Sequence, residues 1–484
     1  MSDASFLWHD YETTGTDPRR DRVLQFAAVR STLDLEPVGD PVMLFCRPPR
    51  DALPRPEACL VTGITPQRAM HEGLSEAEFA ARVHEELSLP GTCTVGYNSL
   101  RFDDEFTRHM LYRNFYDPYA REWQQGNSRW DLIDLTRMCH ALRPQGIEWP
   151  LREDGSPSFR LEDLAAANGL EQQRAHDALS DVQALLALAR LIRDKQPRLW
   201  SWYFELRRKK RVLELLDTVH KPALVHVSSR YPARNGCLTL IVPLARHPAR
   251  DNEIIVYDLS VNPVDLIVLD PEEIADRVFT PRRDLPEDVE RIPLRTIHVN
   301  RSPALAPVST LEGVDTTRIG LDMPRCKVHR SELLAATGIM HKVQEVFAHA
   351  ADLPPAEDPE LALYDGFVSD ADRKRLDTVR ATPPQDLSRN FGLQDPRYGE
   401  LLFRYRARNW PDLLDADEKN RWDDFRRQRI VGTHPLSTLP LSEYFPLLQR
   451  LRKDAQGDDA KGLLDQLDAW GRDLAYELGL QPGA

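Results

Sequence analysis

The hydrophobic period changes twice along the chain, near residues 197 and 350, and no single layer architecture accommodates all three textures. Up to about Arg193, short β-rich runs (6–8, 23–30, 42–47, 94–97) alternate with helical periods (76–87, 104–112, 161–168, 178–192). That alternation is the rhythm of an α/β domain. Gln196-Pro197 stops the last of these helices. From Ala223 the runs 224–228, 237–242, 253–259, 264–269 and 296–299 read as strands of a small antiparallel barrel or sandwich. Beyond Val328 helical periods return at 331–351, 369–379, 397–408, 415–428, 441–453 and 458–478, and the Pro-rich stretch 353–359 reads as a linker. The predicted architecture is therefore multidomain, α/β plus β plus α, with segments 1–196, 197–350 and 351–484, each long enough to bury a core of its own.

Composition narrows the class further. With 41% apolar and 29% charged residues the chain reads as folded rather than disordered. No run approaches the roughly 18 apolar residues of a membrane span. Residues 1–10 lack the basic and apolar regions of a signal peptide, so a cytoplasmic protein with no membrane partner is expected. The six cysteines, at 46, 59, 93, 139, 237 and 326, show neither C-x-x-C nor zinc spacing and are expected to be reduced, mostly buried thiols. A net charge of -13 argues against coating of nucleic acid by the whole surface. The charge is segregated, however: residues 201–250 carry ten Lys/Arg against three Asp/Glu, and 251–300 carry five against twelve.

The N-terminal text Phe6-Leu-Trp-His-Asp10-Tyr-Glu12-Thr-Thr-Gly15 runs an apolar strand into carboxylates at i and i+2, which point to one side of a sheet and can share a cation. Such a pair alone is common. Asp103 follows a strand and a polar turn and stands at a helix start, a position that also suits an N-cap. The third element is His176-Asp-Ala-Leu-Ser-Asp181, opening a long apolar helix; its two ends converge only if His176 precedes the helix and Asp181 faces inward from the first turns. Taken in chain order, Asp10, Glu12, Asp103, His176 and Asp181 form a set. Four gathered carboxylates would repel one another unless divalent cations joined them. Oxygen-only ligation suits Mg²⁺, with Mn²⁺ as a substitute, and two ions can activate water against a phosphodiester. His176 is placed to take the water's proton.

These residues resemble the His-containing branch of the DEDD exonuclease superfamily, which gathers D-x-E, a middle Asp and H-x4-D. The other branch has Tyr four residues before the last Asp, where this chain has Asp177. Further motifs resemble the bacterial exodeoxyribonuclease I family along the whole chain: Leu60-Val-Thr-Gly-Ile-Thr-Pro66, Arg101-Phe-Asp-Asp-Glu105, Asn127-Ser-Arg-Trp-Asp131, Ser158-Phe-Arg-Leu-Glu162, Tyr364-Asp-Gly-Phe-Val-Ser-Asp-Ala-Asp-Arg373 and Tyr405-Arg-Ala-Arg-Asn409. The resemblance implies a ribonuclease-H-like exonuclease domain, an SH3-like barrel and a C-terminal helical domain closing a C-shaped clamp. It also implies a monomeric, Mg²⁺-dependent enzyme that degrades single-stranded DNA processively from the 3′ end, releasing 5′-mononucleotides, in repair and recombination. No family motif is evident in 246–320 and 380–396.

Single-stranded DNA requires cations along its phosphates and planar groups under its bases. Arg108, Tyr119, Trp123, Arg137, Arg143, Phe159 and Arg160 are the candidates, each of which also has an ordinary reading as surface charge or core aromatic. The resemblance places them in or beside the DNA groove, with Arg160 and Glu12 at the terminal nucleotide. The run Arg207-Arg-Lys-Lys-Arg211, with Lys221 and Arg230, is expected to form a basic rim. Arg143 and that rim are alternatively a seat for the acidic tail of single-stranded DNA-binding protein, a partner implied by the family. Two other functions share parts of this pattern: an RNA-trimming 3′–5′ exoribonuclease, whose relatives are much shorter, and a non-catalytic single-stranded DNA scaffold, against which the complete acidic set counts.

Overall fold

The computed structural model describes residues 4–170, 178–348 and 354–481. The chain folds into two compact units drawn from separated stretches: 1–128, 173–183 and 354–484 form the first, and 129–172 and 184–353 the second.

The sheet of the first unit comprises β1 (Ser5–Thr13), β2 (Val23–Thr32), β3 (Val42–Phe45), β4 (Thr92–Gly96) and β5 (Ser128–Asp131) in the order β3-β2-β1-β4-β5, the unit boundary falling inside β5. Central β1 runs antiparallel to β2 and parallel to β4, and Phe6, Leu7 and Trp8 are all buried, as expected of a strand covered on both faces. Helices α1 (Glu76–Ser88) and α2 (Asp103–Arg113) pack Phe79, Ala80, Val83, Leu87, Phe106 and Met110 against Leu7, Tyr11 and Phe26 of the sheet. The apolar spacing in α1 is that of one helical face, and Ser75 with Glu78 closes its N-terminus in a capping box. Helix α3 (Ala178–Lys195) starts in this unit and ends in the second.

The C-terminal part of the first unit is helical, with α4 (Arg397–Asn409), α5 (Ala416–Val431), α6 (Leu441–Asp454) and α7 (Asp458–Glu477). Tyr398, Leu401 and Tyr405 of α4 pack on Tyr112 in the last turn of α2 and on Phe115 just after it, while α6 and α7 enclose Leu53 and Cys59. Buried ion pairs join the same segments. Glu360 accepts from Arg22 at 2.7 Å, Arg404 at 3.0 Å and Arg408 at 2.7 Å; Asp51 holds Arg408 at 2.8 Å and Arg429; Asp358 holds Arg404 at 2.8 Å. The expected linker 353–359 is thus corrected at its C-terminal end, where Asp358 is 3% exposed and Glu360, just beyond it, 0%. Arg404 and Arg408 of α4 and Arg22 before β2 hold it, a feature invisible in its proline content.

In the second unit β6 (Leu224–Val227), β7 (Leu238–Arg246), β8 (Glu253–Asp258), β9 (Leu294–His298) and β10 (Ala304–Pro307) form an antiparallel sheet ordered β10-β6-β7-β8-β9. Two expectations are corrected here. The run 264–269 is helical over Val264–Val268, because the Asn262 side chain accepts from the Val264 N–H and starts a turn; a short apolar run does not distinguish strand from helix. The period 331–351 is split into Met323–Ala335 and Ile339–Ala348 by a break over 336–338, where Ala336 turns extended at the end of the first helix and Gly338, before the second, takes a φ of 74°. All six cysteines are free and buried, as expected, and among the described residues no helix is long and apolar enough to cross a membrane.

Candidate active site

The pairing of β1 with β4 ends at Trp8 opposite Val95, while β1 continues to Thr13. Asp10 and Glu12 therefore lie past the end of the parallel neighbour, at the carboxyl ends of parallel strands where open α/β sheets place their sites. There the Tyr11 N–H lacks a ladder partner on that side and donates instead to Asp103 Oδ1 at 3.2 Å. This bond brings the middle acid to the first two. Asp103 is the first residue of α2, and the N-cap position belongs to Phe102, so the carboxylate is not the helix cap. Gly96 makes the approach possible: a Cβ there would meet the Ser99 side chain at 2.4 Å, so the chain turns tightly from β4 toward α2.

Asp181, in the first turn of α3, completes the centre. Ligand oxygens of Asp10, Glu12 and Asp181 all lie within 4.8 Å of one another. Burial first, and then the charge of Asp181, push the Asp10 carboxyl far above the ordinary carboxylate range; burial, Asp10 and Asp104 do the same to Asp103. The donor set is all oxygen and its members repel, which fits a hard divalent cation and gives no support to a soft-metal site. Three of the four predicted acids thus share one cluster and the fourth is hydrogen-bonded beside it. His176 lies outside the described residues.

Residues not anticipated from sequence support this centre. The Tyr11 hydroxyl hydrogen-bonds Thr107 Oγ1 at 3.0 Å, and Thr107 Oγ1 also donates to the Asp103 carbonyl at 2.8 Å. Fully buried Arg121 pairs with Asp104, next to Asp103. The position of Tyr11 between the two acids was a signal; nothing in the sequence around Arg121 was.

The predicted DNA contacts fall in both units. In the first, Arg108 is 4% exposed and bonded at 2.8 Å to both Glu105 and Glu122, with its guanidinium 5.3 Å from the Tyr119 ring centre. Tyr119 stands edge-on to Phe367 at 6.0 Å, and both line a recess of about 180 Å³ with Trp123. Trp123 is 65% exposed and Phe367 88%. Sequence reading missed Phe367, although it lies in a quoted motif, since exposure of a Phe is not legible from sequence. In the second unit, Arg137 pairs with Asp134 at 2.6 Å and its guanidinium lies 5.8 Å from the Phe159 ring. Phe159 is buried edge-on to His140. Arg143 donates to the carbonyls of Leu142 and Thr310, and Arg160, with an exposed side chain, pairs with Glu162.

Three family profiles match the chain in order: an exonuclease domain over residues 7–189, the exonuclease I SH3-like domain over 207–349 and the exonuclease I C-terminal domain over 357–474. Exodeoxyribonuclease I of Escherichia coli K12 is 44% identical over 426 residues, covering 88% of this chain and 90% of its own. The solved structure of exonuclease I from Methylocaldum szegediense superposes with a TM-score of 0.93 at 47% identity, covering 97% of this chain and 99% of that one. The zinc-ion-bound form of the E. coli exonuclease I complex with single-stranded DNA gives 0.91 at 42%, covering 98% and 100%. The ribonuclease-H-like, SH3-like and C-terminal helical parts expected from sequence are thereby all present. With that agreement running the length of both molecules, this chain belongs to the exodeoxyribonuclease I family.

Proposed function

We propose that the protein is a processive 3′ to 5′ exonuclease on single-stranded DNA that uses Mg²⁺ and releases 5′-mononucleotides, acting in DNA repair and recombination. The observation that carries this reading is the clustering of Asp10, Glu12 and Asp181 oxygens within 4.8 Å, with Asp103 tethered to the same strand. Asp10, Glu12, Asp103 and Asp181 would hold two Mg²⁺ ions, which when bound activate water and stabilise the leaving oxygen of a phosphodiester. Glu12 also meets the terminal nucleotide, together with Arg160. His176 accepts the proton of the attacking water.

Along the strand, bases stack on Tyr119, Trp123 and Phe367; their meeting in one recess, with Trp123 and Phe367 exposed, supports that role. Arg108 carries its charge behind Tyr119, orienting the ring rather than touching phosphate, as its two carboxylate partners suggest. Arg137 and Phe159 support the groove from within the second unit, and Arg143 with the basic rim receives the acidic tail of single-stranded DNA-binding protein. The enzyme works as a cytoplasmic monomer.

The test is an oligonucleotide labelled at its 5′ end, incubated with Mg²⁺ or with EDTA beside matched RNA and blunt duplex. Metal-dependent shortening of DNA from the 3′ end is expected. Asp10→Ala and Asp181→Ala should each abolish it while leaving affinity for DNA in metal-free buffer largely unchanged. Normal hydrolysis after either change would remove the two-metal assignment, and preferential loss of RNA would identify an exoribonuclease.

A further inference from the structure

Away from the acidic centre, the first unit contains a cavity of about 630 Å³, within the range of roughly 300–1,000 Å³ typical of small-molecule sites. Six cations line it against four acids. Among those acids Glu76, Asp423 and Glu477 are already paired with arginines, and Asp412 is exposed at the surface. Arg47 and Lys419, both exposed, have no ion-pair partner among the described residues.

The charges beside the cavity do not balance. Five guanidiniums, on Arg22, Arg113, Arg404, Arg408 and Arg429, share four carboxylates, on Asp51, Glu76, Asp358 and Glu360. Extending the cluster to Glu400, which Arg404 shares with Arg421, leaves the excess unchanged. Hydrogen bonding is incomplete at the same place. Arg22 lines the cavity at 2% exposure, and its Nε has no acceptor; Arg113, 3% exposed and sharing Glu76 with Arg22, has none at Nε or Nη1. A buried donor left without a partner is costly, and an anionic oxygen is the strongest acceptor for a guanidinium. Trp422, Met70 and Pro49 supply apolar lining beside these donors.

We propose that this cavity binds a phosphate monoester dianion of the size of a nucleoside 5′-monophosphate, held by Arg47, Lys419 and the Arg22 edge of the buried cluster. The choice of a nucleotide as the natural source rests on the proposed release of 5′-mononucleotides; the recognition of phosphate does not.

The full-length protein in EDTA is titrated separately with inorganic phosphate and with dAMP at matched ionic strength, reading thermal stability and equilibrium dialysis. Saturable binding of one ligand per chain with a rising Tm is expected. The double variant Arg47→Ala/Lys419→Ala should weaken binding tenfold or more, while its Tm without ligand stays at the parent value because both side chains are exposed. Tighter binding of dAMP than of phosphate supports recognition of the nucleoside, and equal affinities support recognition of phosphate alone. Absence of saturation, or equal affinity in parent and double variant, overturns the proposal. Binding lost in Asp10→Asn but kept in the double variant would locate the ligand at the acidic centre, overturning this site while leaving the exonuclease reading intact.

Discussion

At the residue scale, the acidic centre depends on where one strand outlasts its neighbour. Asp10 and Glu12 face the same side because a strand repeats every two residues, and Asp103 joins them because the Tyr11 N–H seeks an acceptor beyond the end of β4. His176→Ala is expected to lower turnover by about 10² or more, the usual worth of a general base, with an unchanged far-ultraviolet spectrum. A change under about threefold at neutral pH would make His176 structural. Phe367, which has 88% of its surface exposed, packs too little to matter for stability. If a base stacks there, Phe367→Ala should weaken binding of single-stranded DNA in EDTA by about five- to 150-fold, matching the roughly 1–3 kcal/mol of a base–aromatic stack. Its Tm should stay at the parent value, and unchanged DNA affinity would remove Phe367 from the strand path.

At the element scale, two glycines on α7 separate intrinsic propensity from packing. A Cβ at Gly471 would meet the Tyr444 ring at 2.7 Å, and that ring is fully buried with its hydroxyl donating to the Leu467 carbonyl. The ring has nowhere to go. Gly471→Ala is therefore expected to destabilise by about 1–3 kcal/mol, outweighing the helical gain of about 1 kcal/mol. A Cβ at Gly462, on the same helix, meets nothing within 4 Å, so Gly462→Ala should stabilise by up to about 1 kcal/mol. Urea unfolding of the two variants checks the opposite signs. The same competition explains the corrected segments: at Val264–Val268 an Asn side chain decides for a turn of helix, and at Ala336 extended backbone ends one.

At the scale of the whole molecule, buried charge governs the response to acid. Burial, then Arg113 and other arginines, push His109 down to about 3, so the folded protein keeps it neutral while the unfolded chain takes a proton below about 6.5. Its contribution is complete above pH 6.5 and is lost as pH falls toward 3. Arginine partners hold Asp51 and Glu360 below their ordinary values despite burial; their stabilisation is present above about pH 4 and fades only as pH falls further. Stability should thus decline between pH 6.5 and 4 through histidine, and His109→Leu should reduce proton uptake on unfolding at pH 5 by close to one. An unchanged pH slope of the urea midpoint would show that His109 charges in the folded state. The sequence by itself determined the three textures, the strand that carries Asp10 and Glu12 and the helix starts at Asp103 and before Asp181, because period and turn chemistry are local. Only the tertiary structure decided that Asp103 bonds to β1, that Arg108 faces carboxylates rather than solvent, that Phe367 stays exposed, and that a proline-rich stretch ends in a buried ion cluster. Those outcomes depend on which distant groups share a desolvated space, and no spacing along the chain encodes that.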